Sequence, residues 1–370
     1  MSFFSGEGVG IDLGSGNTTV YLENEGIVLR EPTGVLVDAR DPSAVLAVGN
    51  DAYAALGRTG ADTQLLFPVM DGAVTDIDMA ALLMVALCEK ATGRRKPLDK
   101  TQLLISMSQG LTKVEQAALL QAARLTGAKK IAAVKTPLAA ALGAGLRIDQ
   151  PRAYMVVVIG SGTCEIAVLS QCGIVAARSM RTGSFSLDEA IVRYMRREKD
   201  LIIGLRTAED LKCDIGRAQP VPEKDPANAE EETSEGNETN AAEASDGAAD
   251  DETVLIKGRG ATSGKPETVE ISPNDIAKAL QEPLSVLVDA IADALSRMPE
   301  EMASDVLETG IHLSGGGALL EGLKPLIAGK TGLPVTLSEH PHEDVILGLG
   351  VLAGDERLLS AALETGAAQD

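Results

Sequence analysis

The sequence predicts a duplicated α/β protein, two similar domains facing a cleft, and three observations carry that prediction. An apolar strand, a glycine turn and a second strand occur twice, as "GIDLGSGNTTVYL" near the start and as "MVVVIGSGTCEIAVL" at residues 155–169. Each copy is followed by further strands and helical segments, so the whole pattern restarts in mid-chain. At 370 residues the chain is also too long for one ordinary core.

The elements follow in order. Residues 8–22 form the first hairpin, and "GIVLREPTGVLV" and "AVLAVG" continue the sheet between Pro and Asp-Pro turns. "MAALLMVALCEKATG" reads as a buried helix ending at a glycine, and "TQLLISMS" as a short buried strand. "LTKVEQAALLQAARLTGAKK" has helical apolar spacing, with Gly127 as terminator. "IAAVKTPLAAALGAGL" is a strand feeding a small-residue helix, with Pro137 in its first turn. In the second half "IVAARSMRTG" extends the sheet, and "SLDEAIVRYMRREKDL" and "RTAEDLKCDIGRA" are helices. A β pair ("VLIKGRG", "ETVEIS") precedes a long helix from Pro273 to about Arg297. "GIHLSGGGALLEGLKPLI" then reads as strand, glycine turn and helix.

Composition narrows the function classes. Trp is absent and aromatics make up 2%, so the core is aliphatic. Cys88, Cys164, Cys172 and Cys213 show no metal spacing and read as reduced, mostly buried thiols of a cytosolic protein. No signal segment or apolar run of spanning length is evident, so neither export nor membrane spanning is expected. Of the net charge of −21, about half lies between Glu223 and Glu252, which hold twelve acidic residues and one lysine. That segment lacks apolar periodicity and is expected to be disordered. The remainder is acidic too, which excludes the basic footprint of a nucleic-acid binder.

The glycine turns are the candidate chemistry. Consecutive backbone N–H groups in such a turn converge on an anion, and glycine lets the chain approach closely. Ser15, Asn17 and Thr18 can add donors at the first turn, as Ser161 and Thr163 can at the second. Asp12, ending its strand, is placed to hold water on a phosphate-bound Mg²⁺. A third turn, Gly315-Gly316-Gly317, is expected to open a helix. Aligning the two hairpins sets Val158 over Asp12, so the second turn lacks the carboxylate of the first. No Walker A loop is present.

"GIDLGSGNTTVYLENEGIVLREP", "AVGNDAYAALGRT", "VMDGAVTDIDM", "EQAALLQAARLTGAKKI", "PLAAALGAGL", "IGLRTAEDLK" and "SGGGALLEGL" together resemble the MreB family, the bacterial actins of rod-shape determination. The resemblance runs in order from about residue 8 to residue 352, interrupted at the acidic segment. It implies an actin-like fold of the actin, heat-shock chaperone and sugar kinase superfamily. Domain I would cover residues 1–150, with a small subdomain at about 31–76. Domain II would cover 151–340, with a small subdomain at about 184–270 and the acidic insertion at about 219–252. A helical region, 341–370, would return to domain I.

The resemblance further implies ATP or ADP, with Mg²⁺, in the cleft. Asp12, Gly14, Ser15, Gly16, Asn17 and Thr18 match the first phosphate turn. Gly160, Ser161, Gly162 and Thr163 match the second, Glu209 and Lys212 the adenosine-side helix, and Gly315, Gly316 and Gly317 the turn beneath the nucleotide. Two departures fall on the chemistry. Val158 stands where the family has an aspartate, and Lys135 and Thr136 stand where it has an "EE" pair before the proline, one of which orients the attacking water. The implied protein is therefore a nucleotide-binding filament former or modulator with weak or absent hydrolysis. Its implied partners are itself or a fuller MreB, cell-wall elongation proteins and the inner face of the cell membrane.

Lesser features bear on the membrane. Phe3 and Phe4 can insert at an interface, and Arg94, Arg95, Lys96 and Lys100 can meet anionic headgroups. His340 and His342 sit beside Glu339 and Glu343 in a polar loop, where solvation is the expectation over a metal site. A non-polymerising adaptor of the division or pilus type is the alternative within the fold. A sugar or acetate kinase is a further one, for which no substrate-side motif is found.

Overall fold

The computed structural model describes residues 8–58, 60–99, 101–220 and 253–367. Phe3, Phe4, Lys100 and the acidic insertion from residue 221 to 252 lie outside the described residues. The chain opens with β1 (Gly8–Leu13), β2 (Asn17–Leu22), β3 (Gly26–Pro32), β4 (Val35–Asp38) and β5 (Val45–Val48). A one-turn helix α1 (Asn50–Tyr53), β6 (Thr63–Leu66) and a tight hairpin of β7 (Val69–Met70) and β8 (Ala73–Val74) follow. Then come α2 (Ile77–Thr92), β9 (Gln102–Met107), α3 (Lys113–Leu125), β10 (Lys130–Lys135) and α4 (Thr136–Gly143).

The second half repeats the plan with β11 (Tyr154–Ile159), β12 (Cys164–Ser170), β13 (Gly173–Met180) and α5 (Ser184–Glu198). β14 (Leu201–Ile202), α6 (Leu205–Ile215), β15 (Val254–Gly260), β16 (Pro266–Ile271) and α7 (Pro273–Ser296) come next. The chain finishes with α8 (Glu300–Thr309), β17 (Ile311–Ser314), α9 (Leu323–Thr331), β18 (Val335–Leu337), α10 (Asp344–Gly354) and α11 (Glu356–Ala367).

Local chemistry sets these boundaries. α2 starts where the Asp76 carboxylate accepts the Met79 N–H at 3.0 Å, and stops where Gly93 turns left-handed at φ 66°. α3 opens with a capping box: the Glu115 carboxylate accepts the Thr112 N–H at 2.9 Å while Thr112 Oγ1 accepts the Glu115 N–H at 3.3 Å. Every residue of β9 is buried, as an interior parallel strand requires.

The duplication is visible in the sheets. One five-stranded sheet runs β3-β2-β1-β9-β10 and the other β13-β12-β11-β17-β18. In each, three strands joined by hairpins pair antiparallel and two crossover strands add parallel to the first of them. The glycine turns thus occupy equivalent corners of equivalent sheets. Between α4 and α10 the backbones nearly touch. A Cβ on Gly143 would overlap the Asp344 carbonyl, and one on Gly348 would overlap that of Ala139.

The third glycine triplet departs from expectation. It leads into a single 3₁₀ turn, Gly316–Leu319, and the α-helix begins only at Leu323. The reason is close approach: Cβ atoms at Gly315 and Gly317 would overlap Ile159, so the triplet lies against the end of β11 instead of starting a helix.

The chain forms two compact units. The first comprises residues 1–186, 286–319 and 324–370 and holds both five-stranded sheets and all three glycine turns. The second comprises residues 187–285 and 320–323 and contains the sheet β14-β15-β16. Within the second unit the Asp275 carboxylate accepts from Tyr194 Oη and pairs with Lys199 Nζ, both at 2.9 Å.

Candidate functional site

In the first unit the two hairpin turns are built alike. The Gly14 N–H donates to the Asn17 carbonyl at 3.1 Å, and the Gly160 N–H to the Thr163 carbonyl at 2.8 Å. Outward carbonyls are already engaged: Thr33 N–H donates to Gly16 O, Ser184 N–H to Gly160 O and Phe185 N–H to Ser161 O, each at 2.9 Å. The turns lie directly against each other. A Cβ on Gly16 would come within 2.9 Å of Ser161 Cβ, and one on Gly162 within 2.7 Å of Ser15 Oγ. The β7–β8 hairpin completes the corner, its Gly72 N–H donating to Ser15 Oγ at 2.9 Å. Asp71 and Gly72 carry its turn with φ of 49° and 75°.

Not every candidate side chain faces outward. Thr18 is fully buried; its hydroxyl shares a hydrogen bond with that of Thr33, which in turn donates to the Gly14 carbonyl at 2.7 Å. It braces the turn. Gly316 lies against the His342 ring, 2.6 Å from Cε1 for an added Cβ, and His342 Nδ1 is 3.0 Å from an Arg30 guanidinium nitrogen. Burial and the Arg30 charge both lower the His342 pKa, so the ring packs beneath the triplet as a neutral side chain.

The charged groups around the turns are few. Asp12 accepts from Ser106 Oγ at 2.6 Å, and burial raises its pKa against that bond and the Arg30 charge. Val158 is 5% exposed and belongs to the apolar cluster of α4, β11 and α10. Directly across from it on β12 stands Glu165, also buried. Its carboxylate accepts the Gln109 N–H at 2.8 Å and the Thr163 hydroxyl at 3.5 Å. Burial pushes this carboxyl up to about 7, against hydrogen bonds from Gln109 and Ser108 and the charge of Lys135. Lys135 ends β10 in register with Met107 of β9, one residue before Ser108. Burial lowers its pKa and Glu165 opposes the shift.

The second unit carries the remaining candidates. Glu209 and Lys212 lie on α6, and Lys212 Nζ donates to the nearly buried Asp188 carboxylate at 2.6 Å. Burial pushes Asp188 up to about 6, with Lys212 opposing.

The model of the MreB/Mbl protein family matches residues 6–236 and 227–360. The chain belongs to the MreB/Mbl family. It is 36% identical to the cell shape-determining protein MreB of Escherichia coli K12 over 343 residues, 92% of this chain and 91% of that protein. It is 34% identical to the cell shape-determining protein Mbl of Bacillus subtilis 168, over 93% of this chain and 95% of that one. Among solved structures, MreB5 of Spiroplasma citri bound to AMPPNP superposes with a TM-score of 0.83 at 27% identity, covering 98% of this chain and 99% of that chain. The fold is therefore actin-like, as the resemblance implied.

Within this MreB/Mbl member, the structure brings the first, second and third glycine turns to one corner of the first unit. Sequence reasoning missed Glu165, Ser106 and the Asp71-Gly72 hairpin. Signals for two of them were present. Glu165 is the lone charge in the strand "CEIAVLS", and Asp-Gly between apolar residues marks a tight hairpin. Ser106 gave none, since its meeting with Asp12 depends on how β1 and β9 align.

Proposed function

We propose that this chain is a cytoskeletal protein of cell-shape determination that binds adenine nucleotide and forms or modulates membrane-associated filaments, with little or no ATP hydrolysis. The observation that carries the reading is the pair of identically closed glycine turns meeting at equivalent corners of two equivalent sheets. With the Gly16, Gly160 and Ser161 carbonyls bonded away, an anion there meets N–H groups, and glycine at 16 and 162 lets the two turns close on each other, where a Cβ would collide with Ser161 or with Ser15 and Asp71. The names of the relatives support the cell-shape role, and the nucleotide in MreB5 supports the ligand. In this reading domains I and II follow the boundaries given above, and Glu209 and Lys212 flank the adenosine.

Weak hydrolysis follows from Thr136 and Val158. Val158 has no group that can bond a water, and the Thr136 hydroxyl can hydrogen-bond one but is no base at neutral pH. Loss of a positioned base typically costs about 10²–10⁴-fold. Glu165 is engaged by backbone and hydroxyl donors. Partners are further copies of this chain or a fuller MreB, cell-wall elongation proteins and the inner membrane face; no described helix is long and apolar enough to cross a membrane. Calorimetric titration with ATP, phosphate release and electron microscopy of pelleted protein test the reading. Saturable binding, phosphate release far below that of E. coli MreB and filaments are expected. Absence of binding refutes the nucleotide, and equal turnover refutes the hydrolytic defect.

A further inference from the structure

In a trans peptide the carbonyl and the following N–H point to opposite sides, so fixing one fixes the other. At the first glycine turn a single distant residue fixes two such planes. Thr33 lies between β3 and β4, in a three-residue turn closed by the Gly34 N–H on the Pro32 carbonyl at 2.9 Å. Its N–H donates to the Gly16 carbonyl at 2.9 Å and its hydroxyl to the Gly14 carbonyl at 2.7 Å. The Ser15 and Asn17 N–H groups share peptide planes with those carbonyls and are thereby directed away from Thr33. Among the described residues the Ser15 N–H donates to no acceptor in the chain. Thr33 is wholly buried, and its one hydroxyl hydrogen goes to Gly14, so the Thr18 hydroxyl 2.8 Å away is the donor between the two threonines. The second turn differs. Its Gly160 and Ser161 carbonyls accept from the backbone of Ser184 and Phe185, with no side chain involved.

We infer that Thr33 is a positioning residue for the nucleotide phosphates, its hydroxyl and N–H setting the directions of the Ser15 and Asn17 amides that receive the anion. The inference deepens the nucleotide reading above and rests on it. Amides aligned in advance leave little ordering to be done on binding, and hydrogen bonds to a charged acceptor depend strongly on that alignment. Without the hydroxyl the Gly14 carbonyl loses its donor and the Gly14–Ser15 peptide plane is free to turn. The loss then falls on ligands that carry phosphate and spares those that do not.

The test is calorimetric titration of the full chain and its Thr33 variants with ATP and with adenosine. Thr33→Val keeps the shape and the N–H but loses the hydroxyl. Its ATP affinity is expected to fall about tenfold or more, while its adenosine affinity changes by less than about threefold. Thr33→Ser restores the hydroxyl and is expected to bind ATP within about threefold of the unaltered protein. Thr33→Cys, a weak donor of similar size, should fall between them, and its comparison with Thr33→Ser carries the test if the valine variant does not fold. A purely structural role predicts equal losses for ATP and adenosine, and that result overturns the inference. Unchanged ATP affinity in the valine and cysteine variants, or serine no better than valine, overturns it too and leaves the nucleotide reading intact. No ATP binding by the unaltered protein overturns both.

Discussion

Glu165→Gln should change how stability depends on pH, in a direction fixed by burial. The carboxyl titrates near 4.5 when exposed and near 7 in the folded chain. Between those values the folded state keeps a proton that the unfolded state has released, so raising the pH favours unfolding. The contribution is fully present below about 4.5 and fully lost above about 7. At about 1.4 kcal/mol per pH unit, the gap is worth about 3 kcal/mol, and roughly three-quarters of it falls between about pH 5 and about pH 8. Glutamine keeps an acceptor for the Gln109 N–H and never ionises, so the variant lacks this term. Urea unfolding of both nucleotide-free proteins at the two pH values gives the measurement. The variant should gain about 2–3 kcal/mol on the unaltered protein between pH 5 and pH 8. Asp12, Asp188 and Asp344 also have raised pKa values, but they are common to both proteins and cancel. Parallel curves would mean that Glu165 is ionised with ease in the fold, and the burial argument would fail.

Three other outcomes follow from close contacts. Gly348→Val drives a side chain into the Ala139 carbonyl between α10 and α4, and neither backbone can yield. It should cost about 3 kcal/mol or more in urea unfolding. Lys212→Met strands the Asp188 carboxylate with its ion-pair partner gone, at a cost of about 3–5 kcal/mol, and adding Asp188→Asn should return most of it. A double-mutant cycle without coupling would contradict that. Gly16→Val pushes the first turn off Ser161 and should lower thermal stability as well as weaken ATP binding about tenfold or more; unchanged affinity would place the anion elsewhere.

The duplication was legible because each copy carries its own local punctuation, an apolar strand on either side of Gly-Ser-Gly. Strand order was not. β1 pairs with β9 across most of a domain, and that parallel register comes from helices covering both faces, which no short window contains. The same register brings Ser106 to Asp12. The glycine triplet misled for a related reason. Consecutive glycines read alike whether they free backbone amides or let the chain lie against a neighbour, and here Ile159 and His342 decide for the second.

Val158 taken alone suggests a decayed site. Strand pairing changes that, because it sets a buried carboxylate beside Val158 and a half-buried ammonium within its electrostatic reach. A strand with only a structural task has no need of Glu165: an apolar side chain in "CEIAVLS" would remove a penalty of about 3 kcal/mol above pH 7. Breaches of the burial rule at this cost are expected where a site is in use. The second turn therefore differs from the first in where its carboxylate stands, on β12 instead of β11. The carboxylate lies across from Val158, buried and hydrogen-bonded to the Gln109 N–H and the Thr163 hydroxyl.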